Sequence, residues 1–166
     1  MANENMRMSA AGMTALRRAE DVALRYYNDI ANNCTWGVGT LAHLGPCSVE
    51  ELNRQVTAAE VNAQLATRVE VAERAVRLQV RNHPLTQEQF DALVSFTFNL
   101  GARGARTTLG AANRGALNEV ASNMQSNVWI HPRDARGRRL PAVRSRGLVN
   151  RRREETRPFQ TQQQGR

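Results

Sequence analysis

Glu20, Asp29 and Thr35 follow one another as acid, acid and hydroxyl, and a Gly37-Val38-Gly39 turn comes directly after them. Two carboxyl groups on opposite sides of a sugar ring can cut a glycosidic bond. One gives a proton to the leaving oxygen, and the other takes a proton from the attacking water. The spacing predicts Glu20 at the C-terminal end of a helix, where the helix dipole opposes an ionised carboxylate and favours a group that holds its proton. It predicts Asp29 in an Asn-rich polar turn, where a charged carboxylate can orient water. Thr35 is expected on the returning strand of a hairpin, facing away from Cys34 and Trp36, with its hydroxyl beneath the same water.

The elements that must hold these side chains are marked by start and stop signals. Ser9 caps a predicted helix over 10–20. Three capping boxes, Ser48…Glu51, Thr57…Glu60 and Thr86…Gln89, predict helices over 49–56, 58–82 and 87–100. Val61, Leu65, Val69, Ala72, Val76 and Val80 recur at helical spacing through the long second one, and Pro84 stops it. The segment Phe90–Leu100 is apolar almost all round and belongs inside a bundle, with Gly101 as its left-handed cap. Shorter helices are expected at 107–113 and 116–126, and a last one from near Pro141 to before Pro158. Strand alternation occurs only at about 24–40. The fold class is therefore α+β, with a small N-terminal lobe carrying a β-hairpin or three-stranded sheet and a larger C-terminal helical lobe. A single domain is expected over 1–159. Its small lobe covers about 21–57, and its helical lobe covers about 83–159 together with helix 10–20. The apolar-free residues 160–166 read as a frayed tail.

Charge is unevenly distributed. All 23 basic residues are Arg, and the net charge is +8. Residues 133–166 hold 11 Arg against 3 acidic residues, so this last stretch accounts for the whole excess, and residues 1–132 are balanced. Such an end either attracts anionic lipid, an acidic wall polymer or nucleic acid, or is simply a solvated helix face. The rival reading, a nucleic-acid-binding protein using the Arg-rich helix, lacks any RRM, zinc or homeodomain signature, and no nucleic-acid partner is expected. Cys34 and Cys47 have no metal-ligand spacing. They close a short loop, yet one pair in 166 residues is no disulfide framework. Two reduced thiols are the expectation, with pairing left open. Met1–Arg7 lacks the apolar core of a secretory signal, and no apolar run reaches the roughly 18 residues of a membrane span. Accumulation in the cytoplasm is expected, with passage outward depending on another component.

The pattern Glu20-x8-Asp29-x5-Thr35 followed by Gly-Val-Gly resembles the active-site signature of phage-type lysozymes, glycoside hydrolase family 24. Two further segments are similar to that family: Leu85–Gly101, ending in Phe-Asn-Leu-Gly, and Leu140–Glu154, with its Gly-Leu-x-x-Arg-Arg stretch. The three stand in family order over about 14–159. The resemblance implies a lysozyme-like fold with a long connecting helix. It also implies an endolysin that hydrolyses the β-1,4 bond from N-acetylmuramic acid to N-acetylglucosamine in peptidoglycan, by inversion and without cofactor or metal. Glu20 would be the acid, Asp29 would activate the water and Thr35 would hold it. Leu41, Phe98, Asn99 and Trp129 would line the substrate cleft. One of Arg146, Arg151, Arg152 and Arg153 would reach Glu20. The enzyme would act as a monomer in the host cytoplasm and reach the periplasm through a separate membrane-lesion protein. Where the family often has His after the glycines, this chain has Thr40. His43 either takes over those contacts or, as expected here, is a surface histidine. A lytic transglycosylase needs one carboxylic acid and no water-holding pair, so Asp29 with Thr35 favours hydrolysis. The complete triad disfavours a catalytically idle wall binder.

Overall fold

Each of the three capping boxes closes as the spacing requires. The Ser48, Thr57 and Thr86 hydroxyls accept from the backbone N–H three residues on, and Glu51, Glu60 and Gln89 reach back to the cap backbone N–H. Each cap is worth about 1 kcal/mol. A computed structural model describes residues 1–160, and the expected tail at 160–166 lies, beyond Gln160, outside them. The element order is α1 (Ala10–Ala19), β1 (Ala23–Asn28), β2 (Cys34–Gly37), β3 (Thr40–His43), α2 (Val49–Asn53), α3 (Ala58–Gln79), α4 (Gln87–Asn113), α5 (Leu117–Ser126), β4 (Trp129–Ile130), β5 (Val143–Arg144) and α6 (Arg146–Gln160). This is the α+β, lysozyme-like arrangement: a small three-stranded sheet near the N-terminus, the long connecting helix α3 and a larger set of C-terminal helices.

The chain divides into two units. The first holds Met1–Leu16, Arg68–Val128 and the chain from Ser145 on. In it α4, α5 and α6 pack on one another. Phe90, Leu93, Phe96, Leu109, Met124 and Phe159 are fully enclosed there. The second holds Arg17–Thr67 and Trp129–Arg144. Its antiparallel sheet runs β1-β2-β3. Cys34, Val38, Val56, Val61 and Leu65 form its buried apolar set.

Several boundaries differ from the sequence reading. Helix α2 stops at Asn53 because Gln55 leaves it to bridge with Arg25 of β1. Helix α3 ends at Gln79, and the Asn113 side chain accepts the backbone N–H of both Arg81 and Asn82. Gly101 does break the central helix, with φ +76° and ψ 162°, but the helix resumes at once and runs to Asn113. Only a residue without Cβ takes that conformation cheaply. The last helix starts at Arg146, not Pro141. Val143 and Arg144 are instead extended, paired with Ile130 and Trp129. Pro158 lies inside the last turn instead of ending the helix, and buried Phe159 keeps that turn packed.

Candidate active site

Asp29 is built into the β1–β2 turn by its own side chain. Its Oδ1 accepts the backbone N–H of Ala31 and of Asn33, each at 2.9 Å. Its backbone N–H donates to Asn33 O at 3.0 Å and its carbonyl accepts Asn32 N–H at 2.8 Å. Asn32 takes the left-handed φ of +57° that closes the turn, a conformation Asn tolerates well. The Asn-rich stretch therefore fixes the carboxylate by local geometry and needs no distant partner. Thr35 Oγ1 stands 3.1 Å from Asp29 Oδ2 and 3.3 Å from Asn33 O. Its residue is only 3% exposed.

The sheet register sets which side chains accompany Thr35. Tyr27 pairs with Thr35 across β1–β2, and Thr35 with Leu41 across β2–β3. Directly paired residues share a face. Tyr26 and Trp36 occupy the other face, their rings 6.0 Å apart. The Tyr27 phenol is pushed above its ordinary value of 10.0, first by burial and then by the negative charges of Asp29, Glu20 and Asp21. Tyr27 thus sits within electrostatic reach of both candidate carboxyls. Glu20 follows the last residue of α1. Its Oε2 lies 4.0 Å from where a Cβ on Gly39 would stand, so its carboxyl faces the β2–β3 turn. Glu20, Asp29 and Thr35 all belong to the second unit. Leu41 and Trp129, also in that unit, are 53% and 55% exposed.

Phe98 and Asn99 belong to the first unit. Phe98 is 6% exposed, and the Arg68 guanidinium covers its ring at 4.0 Å. The Asn99 Oδ1 accepts from Arg152. Arg151 and Arg152 are buried against Glu155. Arg151 Nε meets Glu155 Oε1 at 3.0 Å, Arg152 Nη1 binds Oε2, and Ser95 Oγ donates to Oε1 at 2.6 Å. Arg152 also donates to Asn127 O and lies over the Phe96 ring. These two Arg are internal ion-pair partners. Arg146, Arg153 and Arg157 are the exposed cations of α6.

Cys34 and Cys47 form a disulfide, which overturns the expectation of two thiols. The spacing could not show that the chain folds back there. Cys34 N–H donates to Gly45 O at 2.7 Å, Gly45 N–H to Asn33 Oδ1 at 3.0 Å and Cys47 N–H to Asn28 Oδ1 at 2.7 Å. The bridge and these bonds clip residues 45–47 to the turn that carries Asp29. Cys34, His43 and Glu51 come within 4.8 Å of one another, but a disulfide sulfur has no thiolate to give a metal. His43 is exposed and bonds the Glu51 carboxylate at 2.9 Å. That bond, after one to Leu44 O, raises its pKa.

Sequence reasoning missed the N–H groups of Ala31 and Asn33, and it missed Tyr27. The Asp-x-x-Asn-Asn turn composition carries the signal for the first pair. Strand alternation back from Thr35 carries it for Tyr27.

A sheet with an Asp–Thr pair at its first turn, joined through one long helix to a helical bundle, defines a lysozyme-like protein. The family model described as phage lysozyme matches residues 17–155. The chain belongs to the phage lysozyme family. It is similar to the endolysin of Salmonella phage P22, 35% identical over 96 residues that span 58% of this chain and 64% of that one. It is 28% identical to the endolysin of Acyrthosiphon pisum secondary endosymbiont phage 1, over 94% of this chain and 99% of the other. The solved endolysin from Escherichia coli O157:H7 phage FAHEc1 superposes with a TM-score of 0.73 at 30% identity, covering 95% of this chain and 96% of that one. No helix among the described residues is long and apolar enough to cross a membrane.

Proposed function

We propose that this chain is an endolysin that cleaves the β-1,4 bond between N-acetylmuramic acid and N-acetylglucosamine in peptidoglycan, by a single inverting displacement for host lysis. One observation carries the mechanism: the Asp29 oxygens are not equivalent. Each carboxylate oxygen offers about two acceptor sites. Oδ1 has both filled by Ala31 and Asn33 N–H, whereas Oδ2 has one taken by Thr35. Oδ2 is the oxygen with room to accept a proton from water.

In the proposed reaction Asp29 Oδ2 takes a proton from water as the water oxygen bonds to the anomeric carbon. The bond from that carbon to the bridging oxygen breaks, and Glu20 delivers its proton to that oxygen. Thr35 gives its single proton to Asp29 or Asn33 and keeps lone pairs that receive an O–H of the same water. Inversion calls for the Glu20 and Asp29 carboxyls to stand roughly 6.5–9.5 Å apart. Leu41 and Trp129 offer exposed apolar surface to sugar faces, and Phe98 and Asn99 are proposed as glycan contacts of the first unit. With Oδ1 engaged, Asn99 offers its Nδ2.

The enzyme is proposed to act as a monomer, without a nucleic-acid partner, and to reach the wall from the host cytoplasm through a separate membrane lesion. Arg146 and Arg153 supply the adhesive cations of α6 for anionic lipid or wall polymer. Exchange of both for Gln then weakens vesicle binding and its salt dependence. Unchanged binding rejects that role. Digestion of purified sacculi followed by mass spectrometry tests the reaction. Hydrolysis gives reducing N-acetylmuramic ends, whereas anhydro ends mean transglycosylation.

A further inference from the structure

A constellation of metal-binding side-chain types stands in the second unit, outside the proposed reaction. Cys34 and His43 are direct partners across β2–β3, so their side chains share one face of the sheet. Glu51 lies in the first turn of α2, and its Oε2 accepts the Ser48 N–H at 2.7 Å, which turns the carboxyl back toward Cys47. The Cys34 sulfur, a His43 ring nitrogen and a Glu51 carboxylate oxygen lie within 4.8 Å of one another. Cys47 Sγ is bonded to Cys34 Sγ and belongs to the same cluster. His43, Cys47 and Glu51 follow one another at intervals of four residues, whereas Cys34 joins them only through the sheet. The cluster is closed at Cys34, which is 0% exposed, and open at His43. Two features prepare it for a cation. Cys34 N–H donates to Gly45 O at 2.7 Å and Cys47 N–H to Asn28 Oδ1 at 2.7 Å, so the two cysteine segments are held together without the bridge. His43 Nδ1 stands 3.0 Å from Leu44 O, an acceptor, so Nδ1 carries the ring proton and the lone pair of the neutral imidazole is on Nε2. Nε2 points at the Glu51 carboxylate, 2.9 Å away. Two acceptors facing each other need a cation between them. A carbonyl behind the ring and a backbone N–H behind the carboxylate are the supports that orient metal ligands.

We infer that reduction of the Cys34–Cys47 bridge turns this cluster into a tetrahedral Zn²⁺ site whose ligands are Cys34, Cys47, His43 and Glu51. A dithiol reductant exchanges with the bridge at Cys47, its half-buried sulfur. The dithiol closes to its own disulfide, and its two protons and two electrons pass to Cys34 and Cys47. Binding of Zn²⁺ then releases the two thiol protons, because the thiolate is the ligand. Two thiolates, an imidazole and a carboxylate suit zinc, whereas Ca²⁺ and Mg²⁺ take oxygen alone. Zinc bonds place neighbouring ligand atoms ~3.5 Å apart, a spacing that side-chain rotation reaches from the present cluster. The metal would clip residues 45–47 and the start of α2 to the Asp29 turn, as the disulfide does in the oxidised chain. Exchange with a small-molecule disulfide reverses the step: that disulfide takes up two electrons and becomes two thiols, the bridge forms again and Zn²⁺ leaves. The site stands on these four side chains and is independent of the proposed hydrolase reaction.

The test uses the full chain, oxidised or reduced with a dithiol that is then removed without air. Zn²⁺ is titrated against a chromogenic chelator, and Co²⁺ serves as a spectroscopic stand-in. The reduced chain is expected to bind one Zn²⁺ with a Kd below about 10⁻⁷ M, the weak end of structural zinc sites. Its Co²⁺ form should show a thiolate charge-transfer band and the visible bands of a tetrahedral ion, and Zn²⁺ should raise its melting temperature. The oxidised chain should show none of these. His43→Ala, and Glu51→Gln, which keeps an oxygen for the Ser48 N–H, should each weaken Zn²⁺ binding to the reduced chain at least about tenfold. Failure of the reduced chain to bind Zn²⁺, or equal binding by the oxidised chain, overturns the site. So does binding that neither variant weakens, since the two thiols then act without the imidazole and carboxylate. If reduction loosens the fold, Zn²⁺ must restore the near-ultraviolet circular dichroism, and a chain that stays loosened in its presence also overturns the site.

Discussion

Thr35 Oγ1 lies 3.1 Å from the one Asp29 oxygen that the backbone leaves open. This is a division within one carboxylate: Oδ1 fixes the group in its turn, and Oδ2 is the oxygen left for the proposed proton transfer from water. Thr35→Val removes the hydroxyl but keeps the shape of a buried side chain. Turnover of sacculi should fall about 10²-fold, the scale of losing one positioning contact, with stability changed by only about 1 kcal/mol. Thr35→Ser should retain most activity. Turbidity clearance together with thermal melts measures both.

Tyr27 reports on both carboxyls at once. Its phenol titrates above 10.0 because of burial and then the charges of Asp29 and Glu20. A raised folded-state value means the phenol contributes stability that is fully present below pH 10.0 and lost as pH rises through the folded value. Ultraviolet titration of wild type against Tyr27→Phe isolates this group. Asp29→Asn should move it back toward the ordinary value, and an unmoved titration would place Asp29 away from the phenol.

The Cys34–Cys47 bridge closes a loop with a sequence separation of 13 next to Thr35. Replacing both by Ser should cost about 3 kcal/mol of stability. It should also lower activity in the folded protein, because the Asn33–Gly45 and Asn28–Cys47 bonds then hold the turn alone. Urea unfolding with and without reductant, beside initial rates at low temperature, separates the two effects.

Glu155 is the shared partner of two buried cations, and Arg152 is 2% exposed. Glu155→Gln removes the buried carboxylate that both share and should destabilise the protein by about 3–5 kcal/mol. Chemical denaturation measures this directly.

Much of this was legible in the chain. The capping boxes set three helix starts, because a Ser or Thr three residues before Glu or Gln satisfies orphan N–H groups wherever the rest of the chain goes. Asp29 in its Asn turn and Thr35 on the next strand were legible for the same reason: their bonds are local. What escaped depended on distant segments meeting. Strands β4 and β5 are two residues each and exist only by pairing Trp129–Ile130 with Val143–Arg144, too short for any alternation to register. The disulfide requires residues 45–47 to fold over the turn. The C-terminal Arg run was expected to turn one unspecified cation inward and leave the rest to solvent, whereas both Arg151 and Arg152 are buried against Glu155.

Glu20→Gln is the most direct probe of the account, because it keeps the side chain's size and hydrogen-bonding capacity and removes only the transferable proton. With purified sacculi, release of reducing ends should fall at least about 10³-fold, within the range for a lost general acid, while the melting temperature and circular dichroism stay those of wild type. A folded Glu20→Gln protein that still releases reducing ends at the wild-type rate would contradict the assignment of Glu20 as the proton donor.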